Sequence, residues 1–461
     1  MERPSSSSFR ASAFLAMAAP MIVSRAGLAT MDIADGLMVA RYQSHEFAWL
    51  SLAEGTIGSV LSICVALLIG GLILVPRHLA RNDKYGAHLI WRRTLPVALA
   101  LGGVLFLLSL AGTRLLTLAG ESSQLAGGAG AVMVILAAGY PAALLAVAAA
   151  VYLEGSGRPG IVAAAVALAN LLNIGLNWVL IAGHLGVHAL GARGSACSTT
   201  AVRLLLAVFL VASAWWTRPS RSNHHSEAQR AEHRAAARMQ WRLGVSGAAT
   251  TAAMVALAAP LVLFAGWLGV VPLAIFSAMW NLAAPAGLVS LGLADAAGIQ
   301  VSQTAGAHSE HRATSVAWSA MRVAILVVAV LVALWSSFSR PLADLYTHDP
   351  ALRSAMPSLV PLLCGILLVD CAGFVAASSL RALREVAWPT SIEIASMLLL
   401  IPLALALAFH ARYGVRGLFL AVLATGLLRT TLLLLRLRFR TPSTLTLESL
   451  SLYAESSTSR S

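Results

Sequence analysis

Six carboxylates interrupt long apolar stretches of this chain: Asp32, Asp35, Glu54, Asp295, Asp370 and Glu393. A charged side chain at the centre of a bilayer costs about 2.5–3.5 kcal/mol on insertion scales, so such a group faces a cavity, takes a proton or binds an ion. Asp32 and Asp35 are three residues apart and share one helical face, where they can close a water-filled cleft and share one proton. Asp370 lies mid-way along its apolar run, and Asp295 lies in the inner half of another. Glu54 and Glu393 fall within two turns of expected helix ends, where a long side chain reaches the headgroups. The plainer alternative for each acid is a hydrogen bond to a neighbouring helix.

Neutral polar residues and prolines add to this set. Asn170, Asn173 and Asn177 are spaced three and four apart in ALANLLNIGLNWVLI. They form one stripe, which either joins helices or lines a cavity. Asn281 beside Trp280 is a further cavity candidate. Pro20 falls mid-way in the first apolar run, and Pro141, Pro285, Pro361 and Pro402 fall in others. A proline frees a carbonyl and kinks its helix. A kink at Pro20 beside a proton-binding acid would make a switch; ordinary packing of a bent helix is the other reading.

Catalytic constellations are not evident. The glycines of GSGRPG (155–160) and GVRG follow no strand, so they read as turns and not as phosphate cradles. Energy for any transport would come from an ion gradient. Cys64, Cys197, Cys364 and Cys371 form no CxxC pair, so neither a disulfide nor a metal site is expected. His224 and His225 read as part of a solvated linker. No catalytic residue, metal or cofactor is expected.

The elements that position these residues follow from composition. Of 461 residues, 58% are hydrophobic and 11% charged, against about 25% charged in a soluble domain. The mean hydropathy is +0.80. Disorder and a water-soluble enzyme are excluded. The net charge of +13 belongs to loops facing anionic lipid, not to nucleic acid. Apolar runs at 12–37, 48–75, 94–116, 126–152, 159–182, 194–216, 243–268, 272–304, 314–338, 355–380, 387–410 and 414–436 read as twelve transmembrane helices. The run that follows Arg3 and Arg10 extends past Thr30 and reads as the first span, not as a signal peptide. Placing both termini in the cytoplasm puts 21 of the 32 Lys and Arg in inner loops and tails, seven in outer loops and four within spans. That asymmetry fixes the expected orientation.

The longest polar break, 217–242, divides the chain into six helices plus six. The expected units are an N-terminal six-helix lobe at 1–216, a cytoplasmic linker at 217–242, a C-terminal lobe at 243–440 and a cytoplasmic tail at 441–461. An even number of spans per half inserts both the same way round, so a duplication would be a parallel repeat. LGARG at 190–194 before the sixth span echoes YGVRG, whose glycines are Gly414 and Gly417, before the twelfth. The fold class is thus all-α integral membrane, in two six-helix lobes.

Across nearly its full length the chain resembles the multidrug and toxic compound extrusion (MATE) family. AAPMIVSRAGLATMDIADGLMVA is similar to the family's opening pattern, a proline followed fifteen residues later by an aspartate. Pro20 and Asp35 match it, with Ala40 in the place of a glycine. NLLNIGLNWVLIAGHLGVHALGARGSA is similar to the N-x-x-L-N run. LVDCAGFVAASSLRALREVAWP places Asp370 at the tenth-helix acid, and LGVVPLAIFSAMWN places Asn281 at a polar position of the eighth helix. In LGVSGAATTAAM, Ser246 and Met254 stand where members often carry a proline and an acid. Ile366 replaces a tyrosine, and Asn177 stands where some archaeal members have an aspartate.

The resemblance implies a secondary antiporter that exports organic, cationic drugs in exchange for H+ or Na+. Asp35 and Asp370 would be the ion-coupling residues, Pro20 the kink, and Asp32, Asn173, Asn177, Asn281 and Asp295 would line the cavity. With two expected C-terminal ligands missing, proton coupling at Asp35 is favoured. A monomer in a bacterial inner membrane is expected, with the bilayer and small organic substrates as its partners. The alternative is a flippase or exporter of a lipid-linked precursor or polysaccharide, for which Arg25 in the first span would serve unless it pairs with an acid. A major-facilitator porter is disfavoured, because PRHLARNDKYGAHLIWRR lacks that family's loop motif.

Overall fold

The computed structural model describes residues 9–217, 227–307, 310–337 and 350–439. Among them are helices and short connections and no strand. In lipid each backbone N–H and C=O must be satisfied within its own segment, and runs rich in Leu, Ala and Val do this as helices. The first half holds α1 (Ala11–Tyr42), α2 (Ser44–Leu68), α3 (Gly70–Ala80), α4 (Lys84–Leu110), α5 (Gly112–Leu118), α6 (Ser123–Ala137), α7 (Gly139–Gly155), α8 (Pro159–Ala182) and α9 (Ala192–Trp216). The second holds α10 (Glu227–Trp267), α11 (Val270–Ala307), α12 (Glu310–Ser337), α13 (Pro350–Ala382), α14 (Ala387–Leu405), which ends in a π-helical turn at Ala406–His410, and α15 (Gly414–Arg438). Helices α2 and α3 form one span, and α6 and α7 form another, bent by 47°. With these, twelve spans are long and apolar enough to cross a bilayer. Helix α1 continues unbroken through Pro20.

The halves repeat one packing scheme. In the first, α1 packs on α8, α7 on α9, and α8 on α9; in the second, α10 packs on α14, α13 on α15, and α14 on α15. Between the halves, α1 meets α11 and α2 meets α10. The echo of G-x-R-G has a structural cause. Gly191 and Gly414 both take φ +55, a left-handed backbone that turns the chain into the last span of each half. Three residues on, Gly194 and Gly417 face backbone: an added Cβ would fall 2.6 Å from the Leu180 carbonyl oxygen and 2.7 Å from the Ala408 amide nitrogen.

The polar break differs from expectation. His224 and His225 lie outside the described residues, but from Glu227 onward the segment is helical and continuous with the seventh span. The residues EAQRAEHRAAARMQ are strong helix formers, so the helix propagates beyond the apolar run. This extension docks on the first half: Arg81 binds Glu232 at 2.9 Å, Arg93 binds the His233 carbonyl, and Gln240 binds the Ile90 carbonyl. Asp83 caps α4 through the Gly86 amide at 2.7 Å and accepts from the imidazoles of His78 and His233. Burial pushes the Asp83 carboxyl up, but those three donors outweigh it and hold it below the ordinary carboxylate range.

Together with the Ser302 hydroxyl on the Ile73 carbonyl, these contacts join the halves at the end that carries the basic loops. Arg25 and Asp295 form the outermost of them, at 2.8 Å.

Candidate functional site

In the first half, α1, α8 and α9 bring a polar cluster around Asp35. Asp35 is fully buried. Asn177 donates its amide to Asp35 Oδ1 at 2.5 Å, and Thr199 donates its hydroxyl to Asp35 Oδ2 at 2.5 Å. Asn173 donates to Thr199 Oγ1 at 3.3 Å, its own carbonyl accepts from Asn177 at 3.1 Å, and Ser198 donates to the Asn177 carbonyl. The asparagine stripe faces the first helix because α8 packs along α1. One turn nearer the basic end, Asn170 donates to the Gly27 carbonyl at 2.9 Å. The stripe therefore joins helices and presents donors to an acid.

Both direct donors to Asp35 are neutral, and among the described residues no ion pair engages it. Asp32 is exposed one turn away. The two acids share a helix but not their surroundings, and no hydrogen bond joins them among the described residues, so a shared proton has no bridge here. Arg203 lies over the ring of Tyr140, 5.4 Å from its centre. Its charge reaches Asp32, Asp35 and Glu54. Glu54 is farther from its helix end than expected. Helix α2 starts at Ser44, four residues before the expected boundary, so Glu54 lies nearly three turns in, with Oε1 buried and no hydrogen-bond partner.

The second half holds a cavity of about 460 Å³. Its walls include Met254, Phe276, Trp280, Asn281, Phe374 and Met397, and Asp370, Arg429 and Glu393 also face it. Asp370 is not a lone acid: Arg429 Nη2 binds its Oδ1 at 2.6 Å and lies over the Phe374 ring. Glu393 is buried and held by Arg381, with the Thr250 hydroxyl at 3.0 Å. It therefore does not snorkel; the tenth span supplies its counter-charge. Ser246, in the place of the family proline, bonds Thr390, and Met254 is a cavity wall.

Asp295, expected at the cavity, is placed at the junction of the halves, accepting from Arg25 Nε at 3.2 Å and Nη2 at 2.8 Å. The geometry explains this. On each helix the side chain leans toward the helix N-terminus. Helices α1 and α11 run in opposite directions and touch at Ile22 and Gly292, so Arg25 and Asp295 lean toward one another. Glu154 joins them: its Oε1 accepts from Ser24 at 3.2 Å and its Oε2 lies 4.0 Å from Arg25 Nη2. Sequence reasoning missed Glu154, which falls two residues beyond the expected fourth span. It also missed Ser198 and Thr199, because single hydroxyls are common in apolar helices. Among the described residues no group of three or more His, Cys, Asp or Glu could hold a metal ion.

The chain's relatives agree with this architecture. The MatE family model matches twice, at residues 20–179 and 248–406, once in each half. A Caulobacter vibrioides protein described as "Probable multidrug resistance protein NorM" is 31% identical over 441 residues, covering 92% of this chain and 90% of the relative. Two solved structures share the fold. "MATE in the bent conformation" has a TM-score of 0.84 at 20% identity, covering 95% of this chain and 96% of that one. "Outward-facing conformation of a multidrug resistance MATE family transporter of the MOP superfamily" has a TM-score of 0.82 at 19% identity, covering 93% and 95%. Two matches to one family pattern, together with twelve spans in two lobes, make this chain a member of the MatE family, a membrane transporter and not an enzyme.

Proposed function

We propose that this chain is a secondary antiporter of the inner membrane that expels organic, cationic compounds in exchange for protons, with Asp35 as the coupling residue. One observation carries the reading: Asp35 is a buried carboxylate held only by neutral donors. Among the described residues no cation bonds it directly, and a proton supplies one. Sodium prefers several oxygen ligands. Here Asn177 turns nitrogen to Asp35, while its carbonyl is occupied by Ser198.

A proton on Oδ2 reverses one hydrogen bond. The carboxyl then donates to Thr199 Oγ1, and the Thr199 hydroxyl, which can donate or accept, gives up its own donation. This loosens the tie of α1 to α8 and α9, while the Asn170 bond to Gly27 stays. Bending of α1 near Pro20 would then narrow the cleft beside that helix and release substrate outside. Rocking of the lobes gives alternating access. Contacts at the basic end and a cavity beyond them fit an outward-open form with both termini in the cytoplasm. The second-half cavity, with aromatic and Met walls beside Asp370 and Glu393, would hold the organic body. Pairing of Arg25 with Asp295 removes the support that Arg25 lent to a lipid-pyrophosphate flippase.

The test uses everted vesicles acidified within, a pH-quenched dye and added ethidium. Dequenching in sodium-free buffer is expected. A response only when sodium is present would overturn proton coupling.

A further inference from the structure

Three ionisable groups at the junction of the halves play no part in the coupling just described. Arg25 on α1 and Glu154 on α7 belong to the first half; Asp295 on α11 belongs to the second. Arg25 turns both Nε and Nη2 to one oxygen of Asp295. Glu154 Oε2 waits 4.0 Å from the same Nη2, and Ser24 fixes its other oxygen. One guanidinium therefore faces two carboxylates, one from each lobe.

Opening the inner side requires α1 and α11 to part at this level. A Cβ at Gly292 would fall 3.0 Å from Ile22 Cα, so the two backbones are in contact one turn away. Parting takes Asp295 from Arg25. An arginine left without a carboxylate in an apolar interior is strongly disfavoured, as a buried pair broken on one side shows. Glu154 lies within a short side-chain movement and travels with Arg25, because α1 and α7 are in the same lobe.

We propose that Arg25 is the switch of the inner gate and that Glu154 is its second partner: Arg25 binds Asp295 when the inner side is closed and Glu154 when it is open. The two acids are positioning residues that balance the closed and open forms. This rests on the alternating-access reading above, but its test needs neither substrate nor coupling ion, so the two can fail separately.

The test is the labelling rate of Ser302→Cys by a membrane-impermeant maleimide added to everted vesicles, after subtracting the chain without that cysteine. Ser302 is fully buried against Ile73 across the closed junction. Asp295→Asn removes the closed-state partner and is expected to raise the rate about fivefold or more, the size of an ordinary coupling energy between two states. Glu154→Gln removes the open-state partner and is expected to lower the rate by a similar factor, whereas a residue that only braces the fold would raise it or leave it alone. An unchanged or faster rate in Glu154→Gln, or no rise in Asp295→Asn, overturns the proposal. If Glu154→Gln does not accumulate in the membrane, Glu154→Asp, whose carboxylate is drawn back from Arg25, should also label more slowly; unchanged labelling there contradicts the proposal as well.

Discussion

Asp35 and Asp370 occupy the two halves of one duplicated fold, yet their surroundings differ in kind. Asp35 is held by an amide and a hydroxyl, both neutral, and Asp370 by the guanidinium of Arg429. A carboxylate whose direct donors are all neutral has room to take up and give back a proton. A carboxylate with a fixed arginine already has its counter-charge. The same helix scaffold occurs twice, and a few side chains set the halves apart: an acid with neutral donors in the first, a walled cavity beside a paired acid in the second.

The largest expected effect comes from breaking the second-half pair. Asp370→Asn leaves Arg429 charged beside an apolar wall, and loss of one partner of this half-buried pair costs about 2–3 kcal/mol. Adding Arg429→Gln should restore most of the thermal stability measured in detergent. Failure of the double variant to recover would show that the two residues are not a pair. In the first half, Thr199→Val removes a hydrogen bond to a buried carboxylate, worth about 2 kcal/mol. It should lower stability and proton-driven efflux together, while Thr199→Ser, which keeps the hydroxyl, should retain both.

The likeness of the halves can itself be tested. Gly194→Ala and Gly417→Ala each push a methyl into backbone, an overpacking cost of about 1–3 kcal/mol. Similar losses of melting temperature support one shared packing device; a loss in only one half breaks the comparison. The smallest effect is expected at Asp83→Ala, which removes the α4 cap for about 1 kcal/mol. The folded-state value of Asp83 is held below its ordinary 3.8, so its contribution is complete above pH 3.8 and is lost as the pH falls through the depressed value. The gap between Asp83→Ala and the parent should therefore narrow in acid and remain constant near neutrality.

Much of this was legible in the sequence, because lipid permits few alternatives to long helices. The twelve expected spans fall on single helices or on consecutive helix pairs; the third, expected at 94–116, runs from α4 into the short α5. Boundaries were less legible where helix-forming residues continue past the apolar run, as at Glu227 in α10 and Ser44 in α2. The buried acids stood out, since each is costly without a partner. Their partners did not: Arg429 is 59 residues from Asp370, and Asp295 is 270 from Arg25. Only the fold brings them together. Asn170 and Asn177 were visible in a stripe, but their acceptors on α1 became visible only when α8 was seen to pack along that helix.

The most direct test of the central claim compares Asp35→Asn with Asp370→Asn/Arg429→Gln in sodium-free everted vesicles, acidified within and supplied with ethidium. The account predicts that Asp35→Asn loses at least about tenfold of the ethidium-dependent proton release, a change of about 1.4 kcal/mol. The second-half double variant should still release protons, even if its ethidium affinity changes. Proton release that survives in Asp35→Asn and disappears in the double variant would place the coupling in the second half and contradict the account.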